Sequence, residues 1–286
     1  MDAVRVILYI LLAPVIGGLL DGLDRRISAR MQGRQGPPIL QPFYDLSKLF
    51  SKEMIAVNNV QMLLNLSYLV FFVIAGSMLF AGADILMCLF LVSTADMFLV
   101  MAASSDSSPY SSIGANREMV QLMACEPMLL LLAVGFYLAT GSFQVSEIVS
   151  GDISAIAAMP GFLIGFLFIT GVKLRKSPFD LSTSHHAHQE VVKGLTTEMS
   201  GTTFAIMTIT EYYEMVMLLG IVALFFANST WWSWIIAVLF CLIAFFIEVF
   251  IDNVSARVKW DKLLGGCWAV TLVAGGLNGL ILMIIQ

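Results

Sequence analysis

Carboxylic acids inside long apolar stretches are the residues of this chain most able to do chemistry. An ionised side chain at the centre of a bilayer costs about 2.5 to 3.5 kcal/mol, so acids at such positions commonly pair or carry protons. Glu211 and Glu214 share a helix face, where two carboxyl groups can hold a proton between them. Pro127 follows Glu126 and removes a backbone donor, which opens that helix to water or to a neighbouring carboxylate. The pattern predicts proton handling within a membrane at Asp96, Glu126, Glu211 and Glu214, with a helix-to-helix hydrogen bond as the alternative for Asp96.

Membrane-spanning helices must position these acids, because the rest of the chain is strongly hydrophobic. Hydrophobic residues make up 59% of the sequence, charged residues 12%, and the mean hydropathy is +0.88. Runs such as Ile235–Phe246 are apolar on every face, which excludes the alternating pattern of a membrane β-barrel. The sequence predicts one all-α polytopic domain over residues 1–286, with about eight transmembrane helices. The predicted spans are Val4–Leu20, Met62–Gly82, Ile85–Ala103, Met119–Thr140, Ile153–Val172, Thr203–Ala227, Trp231–Ile251 and Leu263–Ile285.

The basic residues predict which ends of the spans face the cytoplasm. Lys and Arg in short connections are retained on the cytoplasmic side, and placing the first connection inside leaves only Arg5 of the 15 basic residues outside. We therefore expect a multi-pass protein of the cell (plasma) membrane, with both termini on the outer face. Residues 21–60 and 173–202 are then long cytoplasmic loops that form a docking surface. The basic residues form a belt along the membrane, so they do not indicate nucleic-acid binding.

The first long loop combines a stiff turn with an interfacial amphipathic helix. Gly36–Pro37–Pro38 enforces the turn, and Leu40–Phe50 then places its apolar residues on one side, as in a helix that lies along a membrane surface. A stiff loop suits a platform for a docked protein better than it suits a flexible connection. The alternative is that the helix is an ordinary interfacial anchor. The predicted docking and charge-tuning residues are Arg25, Arg26, Arg30, Arg34, Asp45 and Lys48.

All three histidines, His185, His186 and His188, lie in the second long loop. A metal site is not expected there, because no further ligand pair of suitable type is near them in the sequence. We expect the loop to pack under a partner subunit as part of the docking surface, with pH-sensitive proton exchange as a second use. The four cysteines stand singly in apolar runs, so neither an iron–sulfur cluster nor a zinc site is expected in the chain itself.

Four polar motifs, in order along the chain, resemble those of one membrane-protein family. They are similar to the signature of the respiratory complex I membrane subunit that joins the membrane arm to the peripheral arm. Membrane-bound nickel–iron (NiFe) hydrogenases have relatives of that subunit. The motifs are Arg34–Gln35–Gly36–Pro37–Pro38 with Asp45 and Lys48; Gly114–Ala115–Asn116–Arg117–Glu118 with Glu126–Pro127; Ser177–Pro178–Phe179–Asp180–Leu181; and Thr197–Glu198–Met199–Ser200–Gly201 leading to Glu211–Tyr212.

Two departures from the family pattern narrow the resemblance. Quinone-reducing members place several glutamates soon after the Phe–Asp–Leu triplet, whereas here the histidine-containing stretch Ser182–Gln189 comes before Glu190. This loop and the chain length are most similar to the Ech-type energy-converting hydrogenases. Met199 stands where an aromatic residue is common in the family, which affects the geometry expected near Glu198.

The resemblance implies a membrane anchor and coupling subunit that carries no redox cofactor of its own. Electron transfer from soluble ferredoxin and hydrogen formation would take place in docked partners: a hydrogenase small subunit and a ferredoxin-like subunit with iron–sulfur clusters, and a large subunit with the NiFe centre. An antiporter-like membrane subunit would complete the path for protons or sodium. Asp180, Glu190 and Glu198 join the proton-coupling residues on the same ground. The alternative is the quinone-site membrane subunit of a complex I-like dehydrogenase, and carbon monoxide or formate stays open as the upstream electron source.

Overall fold

The computed structural model describes residues 2–53, 58–176, 178, 182, 193–256, 258–259 and 261–285. Apart from single 3₁₀ turns and an isolated bridge between Asp84 and Gln144, the regular structure within these ranges is helical. The predicted all-α membrane fold is confirmed. The helices are α1 (Asp2–Met31), α2 (Gln41–Phe50), α3 (Asn59–Ala81), α4 (Ile85–Ser104), α5 (Pro109–Thr140), α6 (Val145–Ser150), α7 (Pro160–Lys173), α8 (Thr202–Phe226), α9 (Trp231–Val254), α10 (Asp261–Val270) and α11 (Leu277–Ile285), with a π-helical turn at Thr271–Gly276 joining the last two.

Seven helical segments of the described chain are long and apolar enough to cross a membrane. The predicted count of about eight is reached with α7, which is apolar but shorter. The span predicted at Ile153–Val172 is wrong at its start, because the helix begins only at Pro160. Proline disfavours a helical conformation in the residue before it, and Met159 accordingly leaves the helical region with φ −130° and ψ 51°. The preceding apolar residues instead form a loop with a 3₁₀ turn at Ala155–Ala157.

The first connection also differs from the sequence expectation. Helix α1 continues to Met31, so the first part of the expected 21–60 loop is helical. The chain then turns back, and α2 lies against α1 and α8, with the Phe43 ring over Gly18 of α1. Gly22 is required here, because a Cβ at that position would overlap the carbonyl of Ile39. The predicted amphipathic helix is therefore present and is held against the end of α1.

The interior is formed mainly by α3, α4, α5, α7 and α8. Large aromatic side chains fill it, among them Tyr68, Phe72, Phe136, Phe166 and Phe225, which are almost completely buried. Helix α9 and the last helical segment are more peripheral, since only 28% and 22% of their most apolar windows are buried. Polar and charged residues that lie inside are therefore concentrated where the central helices meet.

Candidate functional site

Helix α7 ends inside the protein and brings basic residues with it. Its 14 residues extend only about 21 Å, which is less than the roughly 30 Å of a hydrocarbon core. The helix then stops in a turn in which the N–H groups of Arg175 and Lys176 donate to carbonyls of the last turn, and Arg175 has a left-handed φ of 54°. Lys173, Arg175 and Lys176, which the sequence places in a cytoplasmic loop, are only 2%, 7% and 8% exposed. The segment after α7 therefore begins inside the protein, because a short span leaves its flanking cations below the surface.

Carboxylates from the neighbouring helices meet these cations. Lys173 forms a buried ion pair with Asp96 of α4. The Arg175 guanidinium lies 2.8 Å from Glu118 of α5 and 3.3 Å from Glu211 of α8. Its Nη1 also lies 4.0 Å from Glu214 Oε2. We call this group the carboxylate cluster, and it comprises Asp96, Glu118, Glu211 and Glu214 with Lys173 and Arg175.

The members of the cluster come from distant parts of the chain but lie at one level. Successive spans alternate in direction, so the first residues of α3, α5 and α8 lie on the same side as the last residues of α4. At a rise of about 1.5 Å per residue, Tyr68, Asp96, Glu118, Glu211 and Glu214 lie between about 12 and 18 Å along their helices from that side. The fold therefore collects these residues in a single layer.

Charge balance in this layer favours protons on some of the carboxyl groups. Four carboxyl groups face two cations, and a net negative charge in a buried site is strongly unfavourable. Neutral donors assist, since the Tyr68 hydroxyl lies 3.5 Å from Glu214 Oε2 and the Ser182 hydroxyl donates to Glu118. Neutrality thus requires up to two protons, which gives the layer the capacity to take up and release them.

A cavity of about 880 Å³ connects the cluster with the surface around α2. Glu211 and Glu214 line its inner end, and Glu211 is the most exposed member of the cluster. Among the described residues, the Tyr212 hydroxyl and Arg175 Nε are buried without a hydrogen-bond partner. Both acids and bases line the cavity, so its interior suits water and protons. Its charged lining residues are Asp21, Asp24, Arg25, Asp45, Lys48, Lys52, Arg175, Lys176, Lys193, Glu211, Glu214 and Asp252.

The mouth of the cavity is organised by Arg25, one of the predicted docking residues. Its guanidinium donates to Asp21 on α1 and to Asp45 on α2, each at 2.8 Å, and so ties the two helices together. Burial works to raise the pKa of Asp45, but hydrogen bonds from Arg25 and Gln41 outweigh it and hold that pKa below its ordinary value. Lys176 forms a further ion pair with Asp24 of α1 at 2.8 Å.

The remaining predicted docking residues lie on the surface. Arg26, Arg30 and Arg34 are exposed beyond the cavity, and Lys48 is exposed at its lining. His185, His186 and His188, together with Asp180 and Glu190, lie outside the described residues.

Glu198 lies apart from the cluster, in the segment before α8. Burial and the nearby Glu198 carboxylate raise the pKa of Asp106, while a hydrogen bond from the Gln61 amide opposes that change. Asp106 lies in the connection between α4 and α5 and is largely buried. Glu198 and Asp106 therefore form a separate acidic pair near the ends of α3, α4 and α5.

Glu126 is also separate from the cluster. It lies on the outward side of α5 and is partly exposed. The carboxylates predicted together from the sequence are thus divided among three places: Asp96, Glu211 and Glu214 in the cluster, Glu198 beside Asp106, and Glu126 on an outer face.

Sequence reasoning missed Glu118, Lys173 and Arg175 as members of the site. Glu118 lies in a polar motif near the start of α5, and Lys173 and Arg175 lie at the end of the short apolar helix α7, so each had a local signal. Their pairing depends on contacts between helices that no local pattern specifies. In the described part of the chain, no group of three or more His, Cys, Asp or Glu side chains is arranged to hold a metal ion.

The similarity to known proteins extends over nearly the whole chain. A family model described as "NADH dehydrogenase" matches residues 4–283. NADH-ubiquinone oxidoreductase chain 1 of Arabidopsis thaliana is 28% identical, covering 93% of this chain and 91% of that protein. Formate hydrogenlyase subunit 4 of Escherichia coli is 26% identical, covering 89% of this chain and 90% of that protein. A chain of an archaeal respiratory complex, the membrane-bound sulfane sulfur reductase, has the same fold with a TM-score of 0.84 and 21% identity, over 98% of this chain and 99% of that one.

Proposed function

This chain belongs to the NADH dehydrogenase family, whose relatives are membrane subunits of oxidoreductase complexes, and on that premise we propose that it anchors and couples a ferredoxin-dependent energy-converting hydrogenase. Its partners are then the hydrogenase small and large subunits, a ferredoxin-like iron–sulfur subunit and an antiporter-like membrane subunit. The iron–sulfur clusters and the NiFe centre belong to those partners. Two Escherichia coli relatives, formate hydrogenlyase subunit 4 and hydrogenase-4 component C, support the hydrogenase side of the family.

The carboxylate cluster and its cavity are the observation that carries this proposal. A subunit that only anchored a partner would have no need of four carboxyl groups and two cations in its interior. The cavity gives the cluster a path for protons from the α2 side, and Glu211 is the first acid of the cluster on that path. Arg175 contacts three of the four carboxyl groups, so a proton gained by one changes the charge that the others experience.

Coupling then follows from electrostatics at the docking surface. A change of charge in a docked iron–sulfur subunit alters the potential at the cavity, and a buried group responds strongly because the surrounding dielectric is low. Protons enter or leave the cluster through Glu211, and Glu214 and Asp96 extend the buried chain of charges between α8 and α4. We propose Glu126, Asp180, Glu190 and Glu198 as further carboxylates in ion movement.

The test compares two cluster variants with an exposed control in the intact complex. Glu118→Gln and Glu214→Gln remove a titratable proton while keeping similar side-chain volume, and Glu147→Gln alters an exposed acid on α6. We expect hydrogen evolution from reduced ferredoxin to persist in detergent for all three. Ion translocation in sealed vesicles should fall at least about tenfold in the two cluster variants, in keeping with the contribution of a positioned proton carrier. Unchanged translocation in both would refute the coupling role.

The cavity also supports a second candidate, the quinone-site membrane subunit of a complex I-like dehydrogenase. Its volume of about 880 Å³ is sufficient for a quinone ring, and relatives of this chain carry the names NADH-quinone and NADH-ubiquinone oxidoreductase. Its lining is densely charged, whereas small-molecule sites are lined predominantly by apolar and aromatic residues, and this disfavours the quinone. Nickel and hydrogen evolution in the purified complex would select the hydrogenase, whereas quinone reduction without nickel would select the dehydrogenase.

A further inference from the structure

Glu248 is a buried acid on α9 that lies outside the carboxylate cluster. It is only 4% exposed and lies about 9 Å along the helix from Val254. Its Oε2 lies 2.6 Å from the point that a Cβ on Gly171 would occupy, so the carboxyl group packs against the last turn of α7. Within the described residues Glu248 makes no hydrogen bond or ion pair. An ionised carboxylate in such a place is strongly unfavourable, so Glu248 holds a proton in this arrangement.

Lys176, which follows α7, is the cation that acts on Glu248. Its ammonium lies 2.8 Å from Asp24 of α1 and 5.3 Å from the ring centroid of Phe245, which precedes Glu248 by about one turn of α9. Lys176 interacts electrostatically with Glu248 without forming an ion pair with it. An ammonium has three donors, and its contact with Asp24 is not aligned as a hydrogen bond. Lys176 therefore stands between two acids, and the one it contacts holds it only loosely.

The surroundings of Glu248 leave one polar route away from it. Asp252, about one turn further along α9, is the other charged side chain that interacts with Glu248, and both Asp252 and Lys176 line the cavity. A proton that leaves Glu248 therefore has a path past Asp252 to the cavity water. The other side chains packed beside this face of α9 come from α1, α8 and the end of α7, and those in the hydrophobic cluster around Phe245 and Val249 are Leu20, Leu23, Ile27, Leu174, Met215 and Leu219.

We propose that Glu248 is a further proton-binding residue of the coupling machinery, and that Lys176 controls it by moving between Asp24 and Glu248. Asp24 lines the cavity and takes up a proton from it, which removes the charge that holds Lys176. The long flexible side chain of Lys176 then turns its ammonium to Glu248, which ionises and releases its proton past Asp252. One proton is bound, one is released, and Lys176 keeps its charge. This inference rests on the coupling role proposed above.

Infrared difference spectroscopy of the intact, purified complex tests the proton on Glu248. The wild type should have a carbonyl band of a protonated carboxyl group that Glu248→Gln lacks and that Glu147→Gln, at an exposed acid of α6, retains. Lys176→Gln should keep this band over the pH range in which the wild type loses it, because the cation that stabilises the carboxylate is gone. The proposal is overturned if Glu248→Gln has the wild-type spectrum, or if the band of Lys176→Gln titrates as it does in the wild type.

Gly171→Ala tests the placement of Glu248 without removing a titratable group. The three atoms nearest to the added Cβ all belong to the Glu248 carboxyl group, so the methyl group displaces that group specifically. Ion translocation in sealed vesicles should fall about tenfold or more in Gly171→Ala and in Glu248→Gln, and no further in the double variant. Gly265→Ala, which has open space around it, should match the wild type.

The same vesicle assay separates this inference from the coupling role on which it rests. Full translocation in Glu248→Gln together with a loss in Glu214→Gln would reject the relay through Glu248 and leave coupling by the carboxylate cluster in place. Full translocation in both variants would reject both proposals.

Discussion

Arg175 is the residue on which the buried cluster depends most. It holds three carboxylates while its backbone adopts a left-handed conformation, which costs a non-glycine residue about 1 to 3 kcal/mol. Arg175→Gln should destabilise the purified complex by about 3 to 5 kcal/mol, the usual effect of leaving buried charges unpaired. Arg175→Gly should destabilise the complex by a similar amount, because relief of the backbone strain does not replace the lost charge. Thermal unfolding of this subunit within the complex measures both.

Arg26→Gln is the matched control for these variants, because it makes the same substitution at an exposed arginine of α1. A double variant, Arg175→Gln with Glu118→Gln, should recover part of the lost stability because it removes one of the unpaired acids. If Arg175→Gln unfolds at the same temperature as Arg26→Gln, the ion pairs do not hold the cluster together.

At the scale of single residues, the sequence predicted which acids belong to the site better than it predicted which residues pair with them. The cost of placing acids in apolar runs was sufficient to select Asp96, Glu211 and Glu214, and the structure brings these three together. The sequence could not identify Lys173 as the partner of Asp96, because the two residues are far apart in the chain and meet only when α4 and α7 pack. Nor could it separate Glu126, whose side chain faces outward only because of how α5 is rotated.

The position of α5 is set by a close approach that only glycine allows. A Cβ on Gly114 would overlap the backbone of Leu195, in the 3₁₀ turn Gly194–Thr196. Gly114→Ala should therefore destabilise the protein by about 1 to 3 kcal/mol and move Glu118 away from Arg175. Gly265→Ala is the control, because it lies in α10 with open space around it and should be neutral or stabilising by up to about 1 kcal/mol. Equal unfolding temperatures for the two variants would contradict the close approach.

The attachment of α2 should depend on pH through Asp45. Its pKa lies below the ordinary 3.8 in the folded protein, so its pair with Arg25 stabilises α2 above that value and is lost as the pH falls through the lowered one. The Asp45 side chain is 41% exposed, so screening limits the effect to less than about 1 kcal/mol. Amide exchange in α2, corrected for intrinsic rates, should show protection in the wild-type chain that declines in acid.

Asp45→Asn should already have the lower protection at neutral pH and show no further decline from this pair. Glu53→Gln changes an exposed acid shortly after α2 and should behave as the wild type does. A wild-type pH response in Asp45→Asn would assign the pH dependence to another titratable group, such as Asp21, which also pairs with Arg25.

Helix positions followed well from apolar runs, but three helix ends did not: the end of α1, the start of α5 and the start of α7. The amphipathic pattern of Leu40–Phe50 agrees with α2 almost residue for residue, because its period of hydrophobicity is local. The run from Ile153 is apolar but forms a loop until Pro160, and hydrophobicity alone does not distinguish an apolar loop from a helix. The end of α7 at Lys173 agrees with the predicted span to within one residue, so the late start at Pro160 is what makes this helix short.

The molecule as a whole has two faces of unlike charge. Arg25, Arg26, Arg30, Lys48 and Lys52 gather on the side of α2 and the cavity, whereas Asp84, Glu147 and Asp152 lie on the opposite side. The retention of basic segments in the cytoplasm predicts that the cavity opens inward and that the proton source for the cluster is the cytoplasm. This orientation also places the docked redox subunits of the proposed complex on the α2 side.

Thiol labelling in intact cells tests the orientation. Ser229→Cys, exposed between α8 and α9, should react with a membrane-impermeant maleimide added outside, and Ser51→Cys, exposed just after α2, should react only once the membrane is opened. Of the four native cysteines, three are buried and Cys241 is partly so, which keeps the background low. The wild-type chain measures that background. The reverse pattern, with Ser51→Cys labelled from outside, would place the cavity on the outer face, and the cluster would then exchange protons with the outer compartment.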